Sequence, residues 1–241
     1  HHVHEQPDER RLMEYRDEVL SHDIPCGNLR KTSEVQKLLN RLDKMVIGPA
    51  LKIGFLKSLM RARYSTASLG HYGLAKAKYA HFTSPIRRYA DLVVHRSLFE
   101  KKAGGEGALR EIAEHISRTE RNSSDAERDS KTVKLYAFLE KQIATGEFHT
   151  YSGLVTDLRN FGFFVDVSAL GMSGLVPLSA LDDDFYVFDA RARRVTGRRN
   201  RRSIQLGDRI EVQILKIDRF KKQVDFRLLP EPRGGRSNRG G

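Results

Sequence analysis

The 241-residue sequence has a single cysteine, Cys26, and no tryptophan. One cysteine cannot form a disulfide within the chain, and it excludes a zinc site built from several thiolates. No apolar run approaches the roughly 18 residues of a membrane-spanning helix, and the first residues lack the apolar core of a secretory signal. We therefore expect a cytoplasmic protein that binds no membrane.

Acidic residues are scarce relative to basic ones. The chain has 43 Lys and Arg against 31 Asp and Glu, which gives a formal net charge of +12. Such a charge favours a polyanionic partner but does not distinguish RNA, DNA, acidic lipid and the ribosome. Hydrophobic residues make up 39% of the chain, enough for a packed core, so we expect a folded protein apart from its tails.

The spacing of apolar residues changes near Thr145-Gly146. Before this point they recur at helical intervals, and after it short β-rich segments are separated by Gly, Asp and Asn. We predict an α+β protein, with a mostly helical domain over residues 1–144 and a small β-barrel domain over residues 145–230. The Gly/Arg-rich residues 231–241 predict a disordered tail.

Two helix boundaries follow from local signals. Ser84 is a favourable N-cap and Pro85 suits the first helical position, so a helix is predicted to begin there. The apolar pattern from Glu106 to Ile143 predicts either one long helix or two helices separated at Asn122-Ser123-Ser124.

The segment HFTSPIRRYADLVVHR, residues 81–96, points to phosphate chemistry. Arg87 and Arg88 would lie in the first turn of the predicted helix, where a cation is unfavourable unless an anion such as phosphate occupies the N-terminus. Asp91 is spaced to pair with Arg87 or with His95. A solvated Arg–Asp helix face therefore explains the same residues equally well.

The run Phe161-Gly162-Phe163-Phe164 dominates the second domain. Strand alternation puts Phe161 and Phe163 on one face and Phe164 on the other, and one face must form core. A bulge or twist at Gly162 would let Phe161 and Phe164 both reach the surface. The alternative is that all three rings belong to the barrel core.

Residues 191–202, RARRVTGRRNRR, contain seven arginines. Such a run is either a solvated loop or a loop that follows a phosphate backbone. The preceding Asp182-Asp183-Asp184 is interpreted as a solvated loop, because consecutive carboxylates point in different directions and cannot share one metal ion. The candidate phosphate contacts are Arg198, Arg199, Arg201 and Arg202.

These segments resemble the ribonuclease II family of processive 3′→5′ exoribonucleases, and within it the ribonuclease R type. GHYGLA followed by YAHFTSPIRRYADLVVHR is similar to the family signature, and TERNSSDAERDS resembles the helix after it. GLVTDLRNFGFFVDV, GLVPLSAL, DDDFYVFD and LGDRIEVQILKID resemble an S1-type RNA-binding domain. The resemblance implies the C-terminal part of the catalytic domain followed by a five-stranded OB-fold barrel.

The resemblance also implies a reaction and its residues. RNA would be hydrolysed from a single-stranded 3′ end to 5′-nucleoside monophosphates with Mg²⁺. Arg87 would face the scissile phosphate, with Arg88 as a second candidate. Glu127 matches a glutamate near the terminal nucleotide, and its alternative role is an exposed partner of Lys131. The implied RNA-binding residues, with the arginines named above, are His81, Thr83, Ser84, Phe161, Phe163 and Phe164.

The His81 assignment has a simpler alternative, and one family feature is missing. A lone histidine such as His81 is often a hydrogen-bonded structural residue. The family holds its metal with aspartates in a motif of the DxxxxxDxDD kind, which no segment here matches. We therefore expect the Mg²⁺ ligands in an N-terminal half outside this chain, and this chain alone to be inactive. The alternative function is a stand-alone RNA-binding or ribosome-associated module without catalysis.

Overall fold

The computed structural model describes residues 1–100, 105–190 and 192–230, so the predicted tail lies outside the described residues. The chain forms two compact units. The first comprises His1–Asn40 and Phe55–Lys131, and the second comprises Arg41–Gly54 and the residues from Thr132 onward. The predicted domain boundary between residues 144 and 145 stays a prediction.

Helices dominate the first part of the chain. Asp8 caps the first of them, because its side chain accepts a hydrogen bond from the Arg11 N–H. Within the described ranges, none of the helices has the length and apolar character needed to cross a bilayer. The elements are β1 (His2–Val3), α1 (Glu9–Leu20), α2 (Thr32–Leu42), α3 (Gly48–Ser58), β2 (Arg63–Tyr64), α4 (Tyr89–Phe99) and α5 (Glu106–Thr145).

The start of α4 differs from the prediction. The helix begins at Tyr89, not at Ser84-Pro85. The Ser84 carbonyl accepts hydrogen bonds from the N–H groups of Arg87 and Arg88, which closes a separate turn before the helix. Arg88 is the N-cap residue, with extended backbone angles of −124° and 113°. The two arginines therefore precede the first helical turn instead of lying within it.

Helix α5 is continuous from Glu106 to Thr145, so the alternative of two helices separated at Asn122-Ser123-Ser124 is wrong. Asn and Ser in a helix interior each cost only a few tenths of a kcal/mol, which an otherwise regular helix tolerates.

A closed five-stranded barrel forms the centre of the second unit. In order around the barrel, its strands are β10 (Gln223–Leu228), β5 (Met172–Pro177), β4 (Gly162–Val167), β3 (Tyr151–Arg159) and β9 (Arg209–Asp218), and β9 pairs with β10 to close it. Only the β5–β10 pair is parallel among these described strands. The other described strands of this unit are β6 (Tyr186–Asp189), β7 (Arg194–Gly197) and β8 (Ser203–Gln205).

The predicted α+β class with a five-stranded OB-fold barrel is confirmed. Strands β6, β7 and β8 form a separate three-stranded antiparallel sheet. Where β5 meets β10, a Cβ at Gly174 would lie 2.5 Å from the Val224 carbonyl oxygen, so glycine permits this close approach. The barrel interior is filled by buried residues that include Val155, Phe163, Val165, Val176, Val212 and Phe226.

Candidate functional site

The Ser84–Arg88 turn positions the two candidate phosphate-facing arginines. Arg87 is exposed, whereas Arg88 is half-buried and its Nη2 donates to Asp91 Oδ2 at 3.0 Å. The Ser84 N–H donates to the same oxygen at 2.7 Å. Asp91 thus holds both ends of the turn. The predicted pairing of Asp91 with Arg87 or His95 is wrong, because the turn brings Arg88 to this carboxylate.

Asp91 is fully buried on α4. Burial raises the pKa of its carboxyl, but the Ser84 N–H and the Arg88 guanidinium outweigh that effect, and the net pKa is lowered. Asp91 is therefore ionised at neutral pH. Asp91 Oδ1 and Arg88 Nε are buried and have no hydrogen-bond partner within the described residues. Such unused polar atoms are rare in folded proteins and are frequent at functional sites.

Exposed apolar residues lie close to Arg87 in the sequence. Ile86 is fully exposed, and Phe82 and Tyr89 are each about half-exposed. His95 Nε2 lies 2.8 Å from the Phe82 carbonyl oxygen, and the two rings lie 4.4 Å apart between centroids. Residues 82–89 therefore combine an exposed arginine with exposed apolar residues, as surfaces that contact another molecule often do.

A cluster of histidines and tyrosines lies next to the turn. The rings of His2 and His81 stack with centroids 4.1 Å apart, and Tyr64 Oη lies 3.0 Å from His81 Nδ1. Burial, followed by the positive charges of His81, His71 and Arg88, lowers the pKa of His2 to about 4. Burial also lowers the pKa values of His71 and His81. These imidazoles are therefore neutral at neutral pH.

The remaining RNA-path candidates of this segment have different surroundings. His81 has the hydrogen-bonded environment expected of a structural histidine. Thr83 is exposed, and the backbone of Ser84 is held by Asp91. Their contact with RNA stays a prediction.

Helix α5 brings Glu120, which sequence reasoning missed, to the histidine cluster. Glu120 Oε1 lies 3.5 Å from Tyr64 Oη, and burial together with this carboxylate raises the pKa of Tyr64 to about 12.

Glu127 lies two turns further along α5 and pairs with Lys131 at 2.6 Å, as its alternative role expects. Among the described residues, no hydrogen bond or ion pair joins Glu127 to the Ser84–Arg88 turn.

The aromatic run is divided between core and surface. Phe163 on β4 is fully buried, so the prediction that it contacts RNA is wrong. Phe161 lies in the two-residue turn between β3 and β4, where strand alternation does not apply, and is 54% exposed. Its ring packs edge-to-face on the half-buried Phe164 with centroids 6.4 Å apart. Phe161 and Phe164 therefore form the outward aromatic pair.

The bulge that accompanies this pair lies in β3, between Val155 and Asp157, and not at Gly162. A Cβ at Gly162 would lie 2.5 Å from the Val176 carbonyl oxygen. Gly162 thus permits a close approach of β4 to β5.

The arginine run is also divided. Arg198 places its guanidinium carbon 4.6 Å from the centroid of the Phe185 ring. Arg199 and Arg201 are exposed. Arg202 is half-buried and donates to a backbone carbonyl that follows β10, at 3.3 Å from Nη2. Arg198 is exposed as well, so exposure makes Arg198, Arg199 and Arg201 more accessible to phosphates than Arg202.

Asp184 organises the arginine turn between β7 and β8. Its Oδ2 accepts hydrogen bonds from the Arg199 N–H at 2.6 Å and the Asn200 N–H at 2.7 Å, and its Oδ1 accepts from the Phe185 N–H at 2.7 Å. Desolvation raises the pKa of Asp184, but these N–H groups outweigh it and lower the net value. Asp183 accepts from the Asn200 side chain at 3.0 Å. Asp183 and Asp184 therefore anchor the turn between β7 and β8, in addition to lying in a loop themselves.

The described residues do not fit a metal site. Within the ranges that the structure describes, no group of three or more His, Cys, Asp or Glu side chains is arranged to hold an ion. The Mg²⁺ that the family resemblance implies thus finds no ligand set among the described residues.

Comparison with known proteins places both regions in characterised families. The RNB domain matches residues 1–102, which include the Ser84–Arg88 turn before α4, and the S1 RNA binding domain matches residues 149–228. Ribonuclease R of Escherichia coli K12 is 31% identical over 98% of this chain. The apo structure of Mycoplasma genitalium RNase R aligns over 95% of the chain with a TM-score of 0.75 and 28% identity.

A second structure, Mycoplasma genitalium RNase R in complex with ribose-methylated single-stranded RNA, aligns with a TM-score of 0.73 and 28% identity over 95% of this chain. The chain spans 31% of the E. coli protein and 37% of either M. genitalium chain. The two domain matches follow the same order as the turn and the barrel described above. The chain therefore combines an RNB domain match with an S1 RNA binding domain match and is ribonuclease R-like in sequence and fold.

Proposed function

We propose that this chain is part of a processive 3′→5′ exoribonuclease that hydrolyses RNA to 5′-nucleoside monophosphates. It contributes a phosphate-facing arginine, Arg87, and an RNA-binding barrel. The observation that carries the proposal is the exposed Arg87 beside an Arg88 that buried Asp91 already engages, within the segment that matches the RNB domain.

The two arginines have different roles in this proposal. The Arg87 fork is free to hold two non-bridging oxygens of a phosphate, and its contribution grows as negative charge develops in the transition state. Arg88 is a positioning residue, because its contact with Asp91 fixes the backbone from which Arg87 projects. Glu127 is proposed to lie near the terminal nucleotide.

Single-stranded RNA with a free 3′ end is the proposed substrate. The S1 match, the net charge of +12 and the M. genitalium relative solved with single-stranded RNA support this choice. In the barrel, Phe161 and Phe164 would stack on bases, and Arg199 and Arg201 would contact phosphates. A cytoplasmic location belongs to the same proposal and rests on the lone Cys26.

Metal binding is assigned to aspartates outside this chain, in an N-terminal half that would complete the active site. Mg²⁺ is the ion implied by the family. The support is the lack of a matching aspartate motif in the sequence and of a fitting ligand set among the described residues. The 241-residue chain alone is then expected to bind RNA without hydrolysing it.

The first experiment tests that division of labour. Purified chain is titrated with a fluorescently labelled single-stranded RNA, and nucleotide release is followed by chromatography with Mg²⁺ and with EDTA. We expect binding without release. Release that EDTA abolishes would show that the metal ligands lie within this chain.

The second experiment tests Arg87 in the chain joined to its N-terminal half. Arg87→Ala is expected to lower kcat by about 100-fold or more, with a much smaller change in RNA affinity. Arg87→Lys should also be slow, since it loses the bidentate fork. The matched control is Arg96→Ala, which removes an exposed arginine from α4. A change in affinity alone would make Arg87 a binding contact.

A stand-alone RNA-binding or ribosome-associated module remains the second candidate function. The barrel with its outward aromatic pair favours it, because such a barrel needs no catalytic partner to bind RNA. If the joined protein binds RNA and hydrolyses none, this function replaces the exonuclease.

A further inference from the structure

We infer that Phe185 and Arg198 form a second base-stacking site for single-stranded RNA, separate from the Phe161–Phe164 pair. The inference rests on the proposed function in one respect, which is that the partner is RNA. It adds a binding residue, Phe185, and a mode of contact that the family resemblance did not supply.

The Phe185 ring is both exposed and oriented. Its exposed fraction is 64%, although the ring is a large apolar group. The Arg198 guanidinium lies over the ring at 4.6 Å from its centroid. One face is thus covered by a planar cation, and the exposed surface leaves room for a second planar group opposite. A nucleobase fits this place, because every base has a π-face that stacks on aromatic rings.

The surrounding backbone holds this arrangement from both strands. The Arg198 N–H donates to the Phe185 carbonyl at 3.0 Å, which extends the β6–β7 ladder by one pair. Asp184 accepts from the N–H groups of Phe185, Arg199 and Asn200. The backbone that carries the ring and the guanidinium is therefore held in place before any ligand binds, which reduces the entropy that binding would cost.

The charge around the ring favours RNA over an apolar protein surface. Arg199 and Arg201 are exposed on the same turn, and the carboxylates of Asp183 and Asp184 are already engaged by hydrogen bonds. An apolar partner that covered Phe185 would have to desolvate these cations. A single strand of RNA offers a base to the ring and phosphates to the arginines at once.

The experiment measures binding of a labelled oligouridine to the 241-residue chain by fluorescence anisotropy. Phe185→Ala is expected to weaken binding by about 5- to 100-fold. Phe185→Tyr keeps the ring and should stay close to the parent, whereas Phe185→Leu keeps apolar bulk without the ring and should weaken binding as Ala does. The matched control is Phe220→Ala, which removes a fully exposed ring from the turn between β9 and β10 and should change nothing.

A second readout locates the contact. Photo-crosslinking with RNA that carries 5-iodouridine, followed by mass spectrometry, is expected to yield a crosslinked peptide that contains Phe185. If the parent binds RNA, but Phe185→Ala and Phe185→Leu bind equally well and no such peptide forms, the second stacking site is wrong while the proposed function stands. If the parent does not bind RNA at all, both fail. A Phe185 variant that binds a protein partner less well, with RNA binding unchanged, would assign the ring to a protein interface and overturn the inference.

Discussion

The turn before α4 and the hairpin between β3 and β4 each contain two identical neighbouring residues that the fold treats in opposite ways. In the turn, Arg88 is held by the buried carboxylate of Asp91 and Arg87 is exposed. In the hairpin, Phe163 fills the barrel and Phe164 faces outward beside the turn. In both regions the inner residue fixes the backbone from which the outer residue projects.

The difference between the two regions lies in the interaction that anchors them. Asp91 and Arg88 are a charged pair with little access to water, so removing one partner leaves a poorly solvated charge. Phe163 is anchored by apolar packing, and its removal leaves a cavity. Removing the outer residue leaves no buried charge and no cavity. Stability and binding should therefore separate cleanly between inner and outer positions.

The largest expected effect is at the charged anchor. Asp91→Ala should lower the free energy of unfolding by about 3–5 kcal/mol, because Arg88 is left without its partner and the Ser84 N–H without its acceptor. Chemical denaturation measures this change. Glu14→Ala, which breaks the exposed pair with Arg10, is the control and should cost less than about 1 kcal/mol. A similar small decrease for Asp91→Ala would mean that the turn does not depend on this carboxylate.

The aromatic hairpin allows inner and outer positions to be compared directly. Phe163→Ala should cost about 3–5 kcal/mol of stability by opening a cavity in the barrel. Phe161→Ala should change stability by no more than about 0.5 kcal/mol, yet weaken single-stranded RNA binding by about 1–3 kcal/mol. Thermal denaturation and RNA titration of the same samples measure both. Unfolding by Phe161→Ala, or unchanged RNA affinity in a folded variant, would contradict its assignment to the outer surface.

Local sequence signals predicted the elements better than the contacts between them. The change of period near residue 145 and the turn residues were enough to predict a β-barrel after a helical region. The predicted helix start at Ser84 was wrong because the prediction assumed that the Ser84 side chain accepts a hydrogen bond from the first helical turn. In the fold, its backbone N–H is bound by Asp91, seven residues later.

The errors in the candidate sites have the same origin. Alternation along a strand placed Phe161 with Phe163, but Phe161 lies in a turn and does not obey it. Glu120 and Asp184 were missed because their importance depends on residues that are distant in sequence, Tyr64 and Asn200. Neither contact leaves a local pattern.

The pH dependence of stability should also distinguish the two regions. The pKa of His2 is lowered to about 4 in the folded protein, below its ordinary value of 6.5, so the unfolded chain binds this proton more readily. Stability is therefore unaffected above pH 6.5 and falls as the pH decreases from 6.5 towards 4. His71 and His81, whose pKa values are also lowered, act in the same direction, and Arg88 and His4 are the other basic neighbours of His2.

Thermal denaturation at pH 7.5 and at pH 5 measures this effect, and we expect Tm to fall by a few degrees. His2 is partly exposed, so solvent screening keeps the change small. In His2→Phe the fall should be smaller than in the parent. An equal fall in both proteins would assign the pH dependence to carboxylates elsewhere and not to the histidine cluster.

The smallest expected effect concerns the arginine turn, whose outer residues differ from Arg87 in being anchored by a carboxylate that is only half-buried, that of Asp184. Replacing both Arg199 and Arg201 by glutamine should make the slope of log affinity against log salt shallower. The slope should change by about 0.7 for each phosphate of a single strand that the chain no longer neutralises. The matched control replaces Arg10 and Arg16, two exposed arginines of α1, and leaves the same net charge. If the turn binds phosphates, only the first pair changes the slope, because counterions are released where the RNA binds. Equal slopes for the two double variants would mean that binding responds to net charge alone, and the arginine turn would then be a solvated loop.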